Sequence, residues 1–138
     1  MISIDRVDHL VLTVADVDRA AEFYERILGM KTVTFEGDRR AMSCGQQIVK
    51  LHAASELVGP TATHPVPGSA NLCFITDSAI SEVQEHLRAH DVRIEEGPVS
   101  RTGTFGPITS LYLRDPDGNL IEVARYNEAA AEDASVES

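Results

Sequence analysis

The chain is poor in aromatic residues, has no tryptophan, and has only two cysteines in 138 residues. Cys44 and Cys73 have neither the number nor the spacing of a disulfide framework or a cysteine zinc site, so we expect both to be reduced packing residues. Basic residues are also few, with 12 Lys and Arg against 22 Asp and Glu and a formal net charge of −10. Because this charge repels phosphate backbones and anionic lipid, we expect no nucleic-acid partner and no membrane partner.

Long hydrophobic runs are absent as well. No apolar run approaches the roughly 20 residues that span a bilayer, and the first five residues lack the regions of a signal peptide. We therefore expect a cytoplasmic protein. The acidic stretch 127–138 has one Val and four carboxylates, too little apolar surface to offset chain ordering, so we expect a disordered tail there.

The first half of the remaining chain has the pattern of one strand, one helix and three strands. We predict a strand over 7–14, then a helix that Asp16 or Asp18 caps and Gly29 ends. Three short strands follow, over 31–35, 40–44 and 47–52. The first half therefore has the order βαβββ.

The second half repeats this order after the break at 64–68, where two prolines and a glycine interrupt regular structure. A strand over 70–76 precedes a helix that Asp77 or Ser78 caps. The last three predicted strands cover 92–95, 109–114 and 119–126, with a long loop over 97–107. We predict an α+β fold, a single domain over 1–126 in which two tandem βαβββ modules, 4–58 and 68–126, form a curved mixed sheet around a central cleft.

Strand alternation selects the side chains that face this cleft. On the first strand the apolar set that begins at Leu10 suits packing under the helix, so His9 points to the cleft. Glu122 lies in an apolar stretch, where an ionised carboxylate is costly unless it is paired or bound to a cation. Lys50 and His52 share a face, and of these two only His52 is a good divalent-metal ligand at neutral pH.

Two imidazoles and a carboxylate, from His9, His52 and Glu122, would form a facial triad with positions open for water or substrate. Two alternatives remain open for these residues. A single histidine on a strand is more often a hydrogen-bonded structural group. Glu122 could form an ion pair with Arg40 or Arg114 instead of binding a metal.

Four other residues have both a functional and a structural interpretation. Arg101 in the predicted loop could bind a substrate carboxylate or phosphate through two hydrogen bonds, or be a solvated loop residue. His64 could act as an acid or base at the cleft mouth, although a structural role is favoured. His86 and His90 lie four residues apart on the second helix, and we expect them on its solvated face.

The opening segment DHLVLTVADVDRAAEFYERILGM and the closing segment LYLRDPDGNLIEV resemble the vicinal oxygen chelate superfamily. That superfamily contains glyoxalase I, extradiol dioxygenases, fosfomycin-resistance enzymes, methylmalonyl-CoA epimerase and bleomycin-resistance proteins. The resemblance covers about residues 4 to 126 and implies a glyoxalase-like domain. It implies that His9 is a metal ligand and that Glu122 is both a ligand and a catalytic group.

Two positions depart from that family pattern. Asn71 stands where glyoxalase I often has a histidine, and it is a weak metal ligand, so we regard it with Arg101 as a substrate-binding candidate. The family ligand on the fourth strand would fall at Lys50, with His52 two residues along on the same face. Either residue could therefore occupy the second ligand position.

The resemblance implies a metal-dependent enzyme of the glyoxalase or lyase type that chelates vicinal oxygens of a small oxygenated metabolite. The implied cofactor is a divalent ion (Zn, Ni, Co, Mn or Fe(II)). An extradiol-type ring-cleaving dioxygenase and a metal-free binding protein like the bleomycin-resistance proteins are the alternatives. Because small modules expose edge strands, we also expect a homodimer.

Overall fold

The computed structural model describes residues 1–127, which form two compact units. The first unit comprises Met1–Ala70 with Pro116–Gly118, and the second comprises Asn71–Asp115 with the chain from Asn119 onward. Each unit has one four-stranded mixed sheet and one α-helix, so the predicted α+β class and the repeated βαβββ order are confirmed. Of the predicted tail, residues 128–138 lie outside the described residues, and Asn127 accepts a hydrogen bond from the Thr109 hydroxyl at 2.9 Å.

The first unit contains β1 (His9–Val14), α1 (Val17–Arg26), β2 (Lys31–Phe35), β3 (Arg39–Cys44) and β4 (Gln47–Ala53), and a short 3₁₀ helix (Ala54–Glu56). Its strand order is β1-β4-β3-β2, and β1 runs parallel to β4 while the other pairs are antiparallel. The N-cap of α1 is Asp16, whose carboxylate accepts the Arg19 backbone N–H at 3.1 Å. The other predicted cap, Asp18, forms an ion pair with Arg40.

The second unit contains β5 (Asn71–Ile75), α2 (Ile80–Ala89), β6 (Glu96–Gly103), β7 (Gly106–Arg114) and β8 (Leu120–Tyr126). Its strand order is β5-β8-β7-β6, again with a parallel pair, β5 with β8. The N-cap of α2 is Ala79, which makes no side-chain capping hydrogen bond, so the predicted cap at Asp77 or Ser78 is wrong. The backbone N–H of Ser78 instead donates to the Thr76 hydroxyl at 3.1 Å in the turn before the helix.

The strand predicted over 92–95 and the loop predicted over 97–107 are also wrong. Strand β6 covers most of that loop and pairs with β7, so that Gly103 lies opposite Gly106. Proline is tolerated at Pro98 because β6 is the edge strand of the sheet. Gly97 has φ +115°, and a Cβ at this position would collide with the backbone oxygen of Ser110.

Each sheet buries apolar side chains on one face. In the first unit α1 packs on β2, β3 and β4, over the buried residues Leu12, Val14, Met42, Val49 and Leu51. In the second unit α2 packs on β7, and the buried apolar set is Leu111, Leu113, Ile121 and Val123. We call the opposite face of each sheet the helix-free face. Neither helix of the described chain is long and apolar enough to cross a membrane.

The two helix starts give a matched stability test. We expect Asp16→Ala to lower the free energy of unfolding by about 1 kcal/mol, because a backbone N–H of α1 loses its capping carboxylate. Asp77→Ala should leave it nearly unchanged, because the first turn of α2 has no side-chain cap. Urea unfolding followed by circular dichroism measures both, and equal losses in the two variants would contradict the assignment.

Candidate functional site

The helix-free face of the first unit carries both histidines of the predicted triad. In the parallel pair of β1 and β4, His9 lies beside Ile48 and His52 lies beside Thr13. The two histidines are therefore four residues apart along the strands, which corresponds to about 13 Å at roughly 3.3 Å per residue. Since each nitrogen bound to one zinc ion lies only about 2.1 Å from it, the register does not bring these two imidazoles together.

His9 lies at the exposed start of β1. Its Nδ1 atom is 2.9 Å from the carboxylate of Asp8, which is itself exposed. The hydrogen bond to His9 lowers the pKa of the Asp8 carboxyl below its ordinary value. The structure thus places the exposed carboxylate of the preceding residue next to the His9 imidazole.

His52 is half-buried, and within residues 1–127 its Nε2 is the one buried side-chain nitrogen or oxygen atom without a hydrogen-bond partner. Burial lowers the pKa of the imidazole, and the positive charges of Arg39 and Lys50 lower it further. These effects favour the neutral imidazole. A buried polar atom without a partner costs about 1–3 kcal/mol. A ligand that forms a hydrogen bond with the His52 imidazole would therefore gain affinity from that contact.

Two cavities of the first unit share His52. One, which we call the linker cavity, has a volume of about 230 Å³ and is lined by residues that include Val11, Thr13, His52, Leu57, Pro60 and Thr61. The other, the hairpin cavity, has a volume of about 240 Å³ and a charged lining that includes Asp38, Arg39, Arg40, His52 and Glu56. His52 is thus the polar side chain common to both spaces.

The strand registers show which residue of β4 occupies the position in the first unit that Glu122 occupies in the second. His9 pairs with Ile48 in the first unit, and Asn71 pairs with Leu120 in the second. The residues two positions further along β4 and β8 are Lys50 and Glu122, so these two correspond. The first unit therefore has the cationic side chain of Lys50 where the second unit has a carboxylate. The Lys50 ammonium lies 4.8 Å from the centre of the Phe35 ring.

Glu122 lies half-buried on the helix-free face of the second unit. The hydroxyl of Ser110, which is fully buried, donates a hydrogen bond of 2.5 Å to its carboxylate. Cys73 and Tyr112 are its neighbours on the adjoining strands β5 and β7. The sequence predicts that this carboxylate needs a partner, and in the structure a serine hydroxyl provides a hydrogen bond to it.

The two arginines considered as partners of Glu122 make other ion pairs. Arg40 pairs with Asp18, and Arg114 lies 3.0 Å from the carboxylate of Glu95. These ion pairs join the two arginines to carboxylates other than Glu122.

Cys73 is exposed rather than a core residue. Desolvation of its thiol, together with the charge and hydrogen bond of the Glu122 carboxylate, raises the thiol pKa from 9.0 to about 11. Cys44, which is half-buried, also has a raised pKa because of burial. Both cysteines are free, and both favour the thiol over the thiolate at neutral pH.

Arg101 lies on β6 instead of in a loop. Its Nε donates to the Tyr112 hydroxyl at 3.1 Å, and its guanidinium lies 5.5 Å from the centre of that ring. A longer contact of 3.4 Å joins it to the Glu96 carboxylate. The hydrogen bond to Tyr112 is the main cause of a raised pKa of Arg101. Arg101 thus has partners within its own sheet.

The remaining candidates lie at the surface. Asn71 is the exposed first residue of β5, and His64 is exposed in the segment between β4 and β5. His86 is exposed on α2, as expected, while His90 caps the helix half-buried and its Nδ1 lies 2.8 Å from the backbone oxygen of His86. The prediction of a solvated pair on the helix therefore holds for His86 only, because His90 lies just beyond the last residue of α2 and is half-buried.

A model of the Glyoxalase/Bleomycin resistance protein/Dioxygenase superfamily matches residues 6–123. The chain belongs to this superfamily. Among curated relatives, virulence protein STM3117 of Salmonella typhimurium is 50% identical over 123 residues, which cover 89% of this chain and 85% of that protein. Glyoxalase domain-containing protein RDO1 of Mycosarcoma maydis is 45% identical over 128 residues, which cover 93% of this chain and 72% of that protein.

More distant members of the superfamily carry enzyme names. Biphenyl-2,3-diol 1,2-dioxygenase 3 of Rhodococcus globerulus is 29% identical over 137 residues, which cover 94% of this chain and 68% of that protein. Among solved structures, an integron cassette protein of V. Cholerae superposes with a TM-score of 0.89 at 50% identity, covering 92% of this chain and 99% of that one. Lactoylglutathione lyase of Agrobacterium tumefaciens superposes with a TM-score of 0.67 at 25% identity, covering 88% and 94%.

Members of this superfamily typically bind divalent metals. No group of three or more His, Cys, Asp or Glu side chains that could hold one ion occurs within residues 1–127. His9 and His52 do not converge, and Lys50 replaces a ligand with a cation. A three-ligand site built on both histidines therefore does not fit this arrangement.

Sequence reasoning missed three neighbours of Glu122, namely Cys73, Ser110 and Tyr112. Alternation along each strand puts them on the correct face, but only the register between strands shows that they meet. The hairpin turn at 115–118 joins β7 to β8 and was the one signal from which Tyr112 could have been paired with Glu122.

The contact between Cys73 and Glu122 predicts slow thiol alkylation. At pH 8 a thiol with a pKa of about 11 is ionised to roughly one part in a thousand, about a hundredfold less than one with the ordinary value of 9.0. In a Cys44→Ala background, Glu122→Gln should lower this pKa and raise the rate of iodoacetamide alkylation at pH 8 severalfold. Glu96→Gln is the control, and the same rate in both variants would contradict the contact.

Proposed function

We propose that this chain is a glyoxalase- or lyase-type enzyme that moves a proton next to the carbonyl of a small oxygenated metabolite. Glu122 is the group that transfers the proton. The observation that carries the proposal is the half-buried Glu122 carboxylate, held by the Ser110 hydroxyl at 2.5 Å on a helix-free face. A carboxylate in such a setting suits general acid–base work, because its orientation is set before substrate binds.

The proposed step is an isomerisation. The Glu122 carboxylate takes a proton from the carbon beside the carbonyl, the C–H electron pair forms a new C=C bond, and the carbonyl π pair moves to oxygen. The protonated carboxyl then returns its proton to the former carbonyl carbon, and the hydroxyl proton of the first carbon passes to the former carbonyl oxygen. The carbonyl and hydroxyl groups thus exchange places, and atoms and charge balance. Ser110 keeps the carboxylate oriented through both transfers. No step of this sequence passes through a metal.

Arg101 and Asn71 are the proposed substrate-binding residues. The guanidinium of Arg101 is oriented by the Tyr112 hydroxyl, while its contact with Glu96, at 3.4 Å, is long. A substrate carboxylate or phosphate could replace Glu96 and accept two hydrogen bonds from the guanidinium. Asn71 would add a neutral hydrogen bond from β5, the strand beside Glu122.

The second candidate function is metal-free binding of a small molecule without turnover. Lys50 favours it, because this position of the repeat offers a cation instead of a second carboxylate. A ring-cleaving dioxygenase is the third possibility. It is favoured because a relative of this chain in Rhodococcus globerulus is named as a dioxygenase. Requirement for Fe(II) and oxygen would separate that activity from proton transfer.

Hydrogen–deuterium exchange tests the proposed proton transfer. We expect the protein to exchange the C–H protons of α-hydroxycarbonyl probes in D2O, followed by proton NMR, and Glu122→Gln to slow this exchange by about 10² to 10⁴-fold. Glu95→Gln is the control, since Glu95 pairs with Arg114. Exchange at the wild-type rate in Glu122→Gln, or no exchange of any probe with or without added metal, would contradict the proposal.

Metal content is a separate measurement on protein purified without an affinity tag. From the side-chain geometry we expect less than one divalent ion per chain by elemental analysis, and no further loss in His52→Ala. A stoichiometric ion that disappears in His9→Ala and in Glu122→Gln would instead favour the metal-dependent form of the enzyme. His86→Ala serves as a control for adventitious binding at the surface of α2.

A further inference from the structure

We infer that His52 binds an oxygen atom of a small, uncharged and mainly apolar molecule in the linker cavity of the first unit. The inference does not rest on the proton transfer proposed at Glu122. The inference starts from the buried Nε2 atom of His52, which has no hydrogen-bond partner within residues 1–127. Buried polar atoms in folded proteins are nearly always paired, so such an atom in a side chain that lines a cavity indicates a missing partner.

The neighbours of His52 on β1 belong to the linker cavity, whose lining is uncharged, whereas the hairpin cavity carries Asp38, Arg39 and Glu56. The side chain leaves β4 on the same face as Thr13, its neighbour on β1, and as Val11. Both of these residues line the linker cavity. Arg40 in the lining of the hairpin cavity lies on the other face, where it pairs with Asp18 of α1.

The lining of the linker cavity indicates the kind of molecule. Val11, Leu57, Pro60 and Pro65 provide apolar walls, and no carboxylate or ammonium group belongs to the lining. A charged molecule would lose its hydration there without contacting a residue of opposite charge in the lining. Polar contacts come from His52 and from the hydroxyls of Thr13 and Thr61, and the Thr61 hydroxyl already donates to the backbone oxygen of Ala62 at 3.1 Å.

The size of the cavity sets the size of the molecule. An engineered protein cavity of about 150 Å³ holds one benzene molecule, and the linker cavity has about 230 Å³. A six-membered ring with one or two small substituents fits this volume. The substituent at His52 should carry oxygen, because a hydroxyl group can donate a hydrogen bond to an imidazole nitrogen or accept one from it, and the nearby cations Arg39 and Lys50 favour an atom with partial negative charge.

Phenol and toluene form the matched pair of probes, since they differ by a hydroxyl in place of a methyl group. With the full chain we expect phenol to bind about tenfold more tightly than toluene, measured by ligand-observed NMR titration. His52→Phe should remove this preference by weakening phenol while leaving toluene unchanged. His64→Phe, an exposed histidine outside the cavity lining, should retain the wild-type preference.

Equal affinity of the wild-type chain for both probes would overturn the inference and would leave a bound water as the partner of His52. An unchanged phenol affinity in His52→Phe would also overturn it. If His52→Phe does not fold, the imidazole ¹⁵N resonances of the wild-type chain decide the matter, because phenol should shift the Nε2 signal of His52 and toluene should not. The phenol preference is an equilibrium measurement without turnover, so failure of the proton-transfer proposal leaves this result intact.

Discussion

The parallel pairing of the first strand of each module with its last strand is the constraint on which the rest of each unit depends. Parallel strands cannot be joined by a tight turn, so the chain must cross over through α1 or α2. The crossover helix covers one face of the sheet, and the apolar side chains gather beneath it. Polar groups such as His52 and Glu122 are left on the other face, where a cavity or a ligand can reach them.

Much of this architecture could be predicted from the sequence because its signals are local. Strand β2 was predicted to the residue, since Lys31–Phe35 is bounded by glycine turns at both ends. The alternation on β1 correctly put Leu12 and Val14 beneath the helix and His9 on the opposite face. The cap of α1 followed from an aspartate at the start of a periodic apolar stripe.

The misses come from interactions between distant parts of the chain. The Gly and Pro residues of β6 look like loop residues, yet an edge strand tolerates them because one side of its backbone makes no ladder bonds. The register of β1 against β4 joins segments about forty residues apart, and no local pattern specifies that His9 and His52 lie four residues apart. The contact between Ser110 and Glu122 likewise depends on the pairing of β7 with β8.

The two modules repeat the backbone but have side chains of opposite charge at the corresponding positions Lys50 and Glu122. Around His52 the neighbouring charges are the cations Arg39 and Lys50, which favour the neutral form of a base. Beside Cys73 the charge is the anion Glu122, which favours the neutral form of an acid. The two opposite charges therefore have the same consequence, since each module presents an uncharged hydrogen-bonding group next to ionic side chains of one sign.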